Sequence, residues 1–269
     1  MLASARGSGR PLVVLHGFGV DHRIMLPLEP MTGDLPWRRL YFDLPWAEGA
    51  PGSTAASALD VADEVIADIR ALLGDEPFAL LGQSFGGMLA RHVAHELRAQ
   101  VLGLATIAGV VEADHSARRV PDRTVLVVEP AALDLAGDAL EDFTAAHVVQ
   151  TTETLTAFMT SVLPGEQGSD QTVLDRIAAH YGLPVQPEVA HPQPFTAPSL
   201  HLFGRQDDVV GYEDGWLLRE HYPRGTYAVL DTAGHGVHLE RPTLTGALIR
   251  DWLERVDDVR PAAAGSGVG

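Results

Sequence analysis

Three short stretches carry side chains whose chemistries fit together. GQSFGG at 82–87 offers the Ser84 hydroxyl, HLFGRQDDVVG at 201–211 offers Asp207 and Asp208, and AGHGVHLERP at 233–242 offers His235. A serine hydroxyl is a weak nucleophile until an imidazole takes its proton, and a carboxylate serves that imidazole by fixing its tautomer. His235 stands between Gly234 and Gly236, a turn with no packing reason to hold an imidazole, which favours a chemical task over a structural one. Asp207 and Asp208 are direct rivals, because a shift of one residue at a strand end turns a side chain to the opposite side. His235, His238 and Glu240 lie close in sequence but match no zinc spacing, so no metal site is expected.

These groups must be held by the elements around them. Short apolar runs recur at PLVVLHG (11–17), RRLYFDL (38–44), PFALLGQ (77–83), VLGLATIAG (101–109), SLHLFG (199–204) and TYAVLDT (226–232). They are continuous and not alternating, as in strands covered on both faces. A helical pattern over 57–73 begins with Ser57 and Asp60 in a capping-box arrangement, continues in a stripe of Val61, Val65, Ile69 and Leu72, and closes at Gly74. A last helix starts at Glu240-Arg241-Pro242 with a stripe of Leu244, Leu248, Trp252 and Val256. Alternating strands and helices predict an α/β fold with a mostly parallel sheet. Ser84 then sits at a strand-to-helix turn, Asp207 and His235 just after later strands, and all three project from the carboxyl edge of one sheet. Gly82 and Gly86 leave the room that a nucleophile at so tight a turn requires.

The alternation breaks between Val111 and Pro198. Three helix-like segments near 138–148, 152–163 and 170–181 are followed by LPVQPEVAHPQPFTAP, whose prolines favour extended, unpaired chain. The ends, MLASARGSGR and RPAAAGSGVG, are small-residue and polar and are expected to fray.

With 269 residues, 46% of them hydrophobic, the chain can bury one sizeable core. It has no cysteine and no lysine, since its 19 basic residues are all arginine; thiol and Schiff-base chemistry, disulfides and thiolate-held metals are excluded. A net charge of −17 opposes partners with phosphate backbones or anionic lipid surfaces. No apolar run has the length of a signal core or a membrane span, so the expectation is a cytoplasmic protein acting on a small molecule, with neither nucleic acid nor membrane as partner.

HGFG at 16–19, DLPWAEG at 43–49, GQSFGG at 82–87, GRQD at 204–207 and GHGVHLERP at 234–242 stand in the order of the sequence blocks of the α/β-hydrolase family of serine hydrolases. The chain resembles that family over about residues 11–111 and 199–256. The resemblance implies a core of 1–111 and 199–256, a helical cap of 112–198 inserted before the last two strands and acting as a mobile lid, and a flexible tail of 257–269. It implies a triad of Ser84, Asp207 and His235, with the backbone amides of Phe18 and Phe85 as oxyanion hole and no cofactor. His16 and Asp43 read as organisers of the loops near the site. Trp46, Met88, Phe143 and Phe158 are expected at the substrate pocket, Phe143 and Phe158 together with Met159 also reading in part as the cap's own core, and the neighbouring Phe18 and Phe85 favour an apolar acyl or aryl guest. The expected activity is hydrolysis of a small, largely apolar carboxylic ester, thioester or lactone. Alternatives are hydrolysis of a carbon–carbon bond in a diketone, or a cyclising or ligand-binding member of the fold. Two departures stand out. Only about ten residues precede the HG-bearing strand, where the family places a β-hairpin, so one or two strands are expected to be missing. Trp46 stands where glycine is common and would narrow the pocket mouth.

Overall fold

All six apolar runs become strands of one sheet. The computed structural model describes residues 1–50 and 52–258, with strands β1 (Leu2–Arg6), β2 (Arg10–Leu15), β3 (Trp37–Phe42), β4 (Phe78–Gln83), β5 (Val101–Ile107), β6 (Val127–Val128), β7 (Val149–Gln150), β8 (Ser199–Gly204) and β9 (Gly225–Leu230). Among the described residues the main sheet has seven strands in the order β1-β3-β2-β4-β5-β8-β9, and β6 pairs with β7 apart from it. Every neighbour in the main sheet is parallel except β1, which runs antiparallel to β3. The fraying expected for MLASARGSGR is corrected by β1. Its backbone pairs from Leu2↔Phe42 to Arg6↔Arg39, and β3 would otherwise present an open edge. Among the described residues one strand thus precedes β2. The expected tail lies, from residue 259, outside the described residues.

Both faces of the sheet are covered, which is why its strands are continuously apolar. Val13, Leu15 and Leu80 point to one face, against Val61, Val65, Ile69 and Leu89 of the helices Ala58–Leu73 and Phe85–Glu96. Leu12, Val14, Leu81 and Leu202 point to the other, against Ile249, Trp252 and Val256 of the helix Pro242–Asp257. Two stripe positions differ from expectation. Leu72 is exposed and Leu73 is buried in its place; Leu244 is exposed, and Thr245 and Ile249 take the inner face. Helical spacing permits either neighbour, and the side on which the sheet lies selects one.

Between β5 and β8 the chain leaves the sheet. It forms the helices Pro130–Ala136, Leu140–Ala146, Thr152–Ala157, Leu163–Gly168 and Gln171–Ala178, with a π-helical stretch at Phe158–Val162. The helix Pro130–Ala136 is absent from the sequence-based expectation, and so is the β6–β7 pair. The proline-studded connector is not simply extended chain. It makes one helical turn at Pro187–Ala190, and Glu188 of that turn is buried against Arg91, 2.7 Å away. Among the described residues no helix is long and apolar enough to cross a membrane.

Candidate active site

Ser84 occupies the corner between β4 and the helix Phe85–Glu96 with φ of 52°, left-handed backbone that a non-glycine residue adopts only when its surroundings impose it. Its amide donates to the Ile107 carbonyl at 2.9 Å, and its carbonyl accepts from Gly87 and Val110 at 2.9 and 3.0 Å. The neighbouring strand end therefore clamps the corner. The two flanking glycines are required by space: a Cβ at Gly82 would stand 2.1 Å from the Gly86 carbonyl oxygen, and one at Gly86 2.4 Å from that of His16.

The loops after β8 and β9 bring the acid and the base to this corner. His235 Nε2 lies 3.0 Å from Ser84 Oγ, and His235 Nδ1 lies 3.0 Å from Asp207 Oδ2. A carboxylate only accepts, so Nδ1 carries the proton and Nε2 presents its lone pair to the serine hydroxyl. Asp207 is fully buried, and its other oxygen accepts from the amides of Val209 and Val210, both at 2.9 Å. Burial opposes its charge, but His235 and these amides together hold its pKa below the usual carboxylate value. For His235, burial favours the neutral ring, yet the Asp207 carboxylate overrides it and raises the pKa. Asp208 turns outward, with a carboxylate oxygen 3.3 Å from Arg123.

The HGFG loop faces the same corner. His16 is buried and neutral, its pKa brought down to about 4 by desolvation. Its Nδ1 donates to the Gly17 carbonyl at 2.8 Å, and its Nε2 accepts from the Leu44 amide at 2.9 Å. Asp43 accepts from the backbone and the ring of His22, both at 2.9 Å. Each thus ties one loop to another, as the sequence suggested. The amides of Phe18 and Phe85 have no acceptor among the described residues. A cavity of about 210 Å³ opens at Ser84, lined by Phe18, Gln83, His235 and the apolar Val20, Ile24, Val209 and Leu239.

Trp46, Met88, Phe143 and Phe158 do not line this cavity. Trp46 is buried behind Phe18, with ring centroids 4.8 Å apart, and its indole donates to the Val20 carbonyl at 2.8 Å. It backs the wall and does not narrow the mouth. Met88 lies in the core between helix and sheet. Phe143 and Phe158 pack on each other at 5.8 Å as the inner core of the helical insertion. From the helical insertion, Ala146, His147, Val162 and Glu166 line the cavity, none of which the sequence singled out; the one available signal was a histidine within an apolar helical stretch. His238 and Glu240 go separate ways. The first bonds the Ile24 carbonyl at 2.9 Å, and the second accepts from the amides of Val148, Val149 and Gly234. Asp21, His22 and Asp43 bring three possible ligand atoms together, but Arg23 is ion-paired with Asp21 and the His22 ring bonds Asp43.

A serine at a strained strand-to-helix corner, hydrogen-bonded through histidine to a buried aspartate on a parallel sheet, is an arrangement of the kind that serine hydrolases use. The family model of the alpha/beta hydrolase fold matches residues 10–242; the chain belongs to that family and is an α/β-hydrolase enzyme. Among curated relatives it is similar to a pimeloyl-[acyl-carrier protein] methyl ester esterase of Shewanella woodyi, 26% identical over 93% of this chain and 96% of the relative. It is also similar to a 2-succinyl-6-hydroxy-2,4-cyclohexadiene-1-carboxylate synthase of Enterobacter sp., 26% identical over 94% and 96%. Among solved structures, an alpha/beta superfamily hydrolase from Oenococcus oeni superposes with a TM-score of 0.88 at 26% identity, covering 94% of this chain and 95% of that one.

Proposed function

We propose that the protein hydrolyses a small, largely apolar carboxylic ester through an acyl-enzyme formed on Ser84. The observation that carries this reading is the hydrogen-bonded chain Ser84–His235–Asp207 at the floor of a cavity with mostly apolar walls. His235 Nε2 takes the proton of Ser84 as Oγ attacks the ester carbonyl carbon. The negative charge that develops on the carbonyl oxygen is met by the amides of Phe18 and Phe85, where one such donor contributes about 2.7–4 kcal/mol to the transition state. His235 returns the proton to the departing alkoxide, which leaves as the alcohol. A water then loses a proton to the same nitrogen, attacks the acyl-serine, and the acid leaves with Ser84 restored. Asp207 keeps the imidazole in the tautomer that accepts at Nε2 and stabilises the imidazolium that forms. The helical insertion over the site is read as a cap that shields the acyl-enzyme.

A panel of p-nitrophenyl esters, thioesters, lactones and diketones tests the bond type, with ester turnover expected to dominate. A fluorophosphonate should label the wild type and leave Ser84→Ala unlabelled. Turnover confined to diketones, or labelling that survives Ser84→Ala, would overturn the reading. The similarity to the Enterobacter synthase motivates a second reading, non-hydrolytic chemistry in the same cavity. That reading requires labelling by the fluorophosphonate without hydrolysis of any member of the panel.

A further inference from the structure

The cap wall of the cavity holds a buried polar atom that nothing satisfies. His147 follows the helix Leu140–Ala146 and is 2% exposed; its ring centroid lies 5.1 Å from that of Phe143 and 5.6 Å from that of Phe158. Its Nδ1 is 3.3 Å from the Phe143 carbonyl oxygen, which only accepts, so Nδ1 carries a proton. Burial brings the pKa of the ring down to about 4, so at neutral pH that proton is its only one. Nε2 is left as a bare acceptor, and among the described residues it has no partner. Across from it stands Gly236, where a Cβ would lie 3.6 Å from that nitrogen. Both residues line the cavity that contains Ser84 and His235.

Buried acceptors are nearly always paired, and His16, buried beside the same site, has both of its nitrogens satisfied. Phenylalanine or leucine would fill the slot between Phe143 and Phe158 with no acceptor to orphan. His201 and His238 also leave one nitrogen unpaired, but neither lines the cavity. The other polar cap residue there, Glu166 at the exposed rim, also accepts when ionised, and no arginine lines the cavity among the described residues. A guest ending in a carboxylate would meet lone pairs and like charge; a guest with a hydroxyl or an N–H would meet its complement.

We propose that His147 is a specificity residue whose Nε2 accepts a hydrogen bond from a neutral donor on the substrate, which makes that substrate an ester bearing a hydroxyl or amide N–H. This inference rests on the reading of the cavity as the ester pocket. Sites built around a polar partner discriminate strongly against analogues that lack it, because the analogue leaves the buried group unpaired.

The test uses Ser84→Ala, which binds esters without turning them over. Calorimetry compares ethyl esters of plain alkanoic acids with hydroxylated counterparts, the hydroxyl moved carbon by carbon along the acyl chain, and with an acylamino counterpart. At one donor position the Kd should be roughly ten-fold or more below that of the alkyl ester. His147→Leu in the same background should abolish the preference for the donor-bearing ester over its alkyl counterpart, and His147→Gln, which carries an acceptor, should recover part of it. His147→Phe, which suits the aromatic slot, replaces the leucine variant if that one does not fold. A flat series, a preference that persists without His147, or no binding of any donor-bearing ester overturns the proposal. The two readings fail separately. Wild type that hydrolyses no ester removes the esterase reading, while calorimetry still decides on His147; hydrolysis with a flat binding series removes His147 alone.

Discussion

Ser84 holds a backbone conformation that costs on the order of 1–3 kcal/mol, and four hydrogen bonds to its peptide groups keep it there. Its hydroxyl makes one side-chain hydrogen bond, to His235, so Ser84→Ala should fold with unchanged far-UV circular dichroism and lose about 10³-fold or more in kcat. Half the activity in a folded Ser84→Ala would refute the nucleophile. The acid is tested by a pair of variants. Asp207→Asn should lower kcat by about 10⁴-fold, the loss seen when the template serine-protease triad suffers the same change, whereas Asp208→Asn, in a residue that faces Arg123, should cost far less. The pH profile adds a sign. His235 must be neutral to accept the serine proton, and its pKa is raised because Asp207 outweighs burial, so kcat/KM falls as pH drops through that raised value. In Asp207→Asn burial acts without the carboxylate, and the acid limb of the residual activity should move to lower pH. An unmoved limb would assign the titration to another group.

At the scale of elements, the helix Phe85–Glu96 decides where the Phe85 amide points, and two contacts set its position. Gly86 lets it approach β2, since a Cβ there would lie 2.4 Å from the His16 and 2.7 Å from the Leu15 carbonyl oxygen. Both are backbone atoms, so Gly86→Ala must push the helix away from the HGFG loop. Activity should fall by more than ten-fold and stability by about 1–3 kcal/mol, read from kcat and from the urea midpoint. Further along, buried Arg91 donates through Nε and Nη2 to the two Glu188 oxygens at 2.8 and 2.7 Å, and Tyr222 donates to Glu188 as well. Arg91→Met leaves that carboxylate uncompensated and should cost about 3–5 kcal/mol of stability. Burial opposes the charge of Glu188, but Arg91 overcomes it and holds the folded-state pKa far below the ordinary value. The stabilisation is therefore complete above the unfolded pKa of about 4.3 and is lost progressively as pH falls below it. Acid unfolding of Arg91→Met should show a weaker dependence over that window.

For the whole molecule, the division of labour lies between the sheet and the insertion that covers its carboxyl edge. Strands β4 and β5 are buried on both faces, while the inserted helices carry exposed apolar side chains such as Leu135, Leu140 and Met159 and pack around a small core of Phe143 and Phe158. Elements with fewer buried contacts open at lower free energy. We therefore expect amides of Pro130–Gly168 to exchange faster than those of β4 and β5, and to slow when a phosphonate occupies Ser84, as a closing lid would require. Protection equal to the central strands, unchanged by the adduct, would make the insertion a rigid wall. The connector would remain protected in either case, because Glu188 anchors it to the helix Phe85–Glu96.

The sequence by itself determined six of the seven strands of the main sheet and set Ser84, His235 and the Asp207–Asp208 pair just past strand ends, because each depends on chain neighbours: continuous apolar runs, glycines two residues either side of the serine, acids and a histidine beyond apolar runs; the choice of Asp207 came from the family resemblance. It also pointed to His16 and Asp43 as loop ties, since a polar side chain beside a strand end has backbone groups within reach. Tertiary structure alone decided which face of each inserted helix turns to the cavity. Phe143 and Phe158 read both as pocket residues and as core of the insertion, and they are its core, while His147, one residue past a helix end, reaches the site. Trp46 was expected at the mouth and lies behind the wall. Leu72 and Leu244 satisfied helical spacing and still face solvent. The reason is common to all of these. Periodicity states that an amphipathic element has an apolar face, but the neighbour that face meets is set by contacts distant in sequence, and no local pattern encodes those.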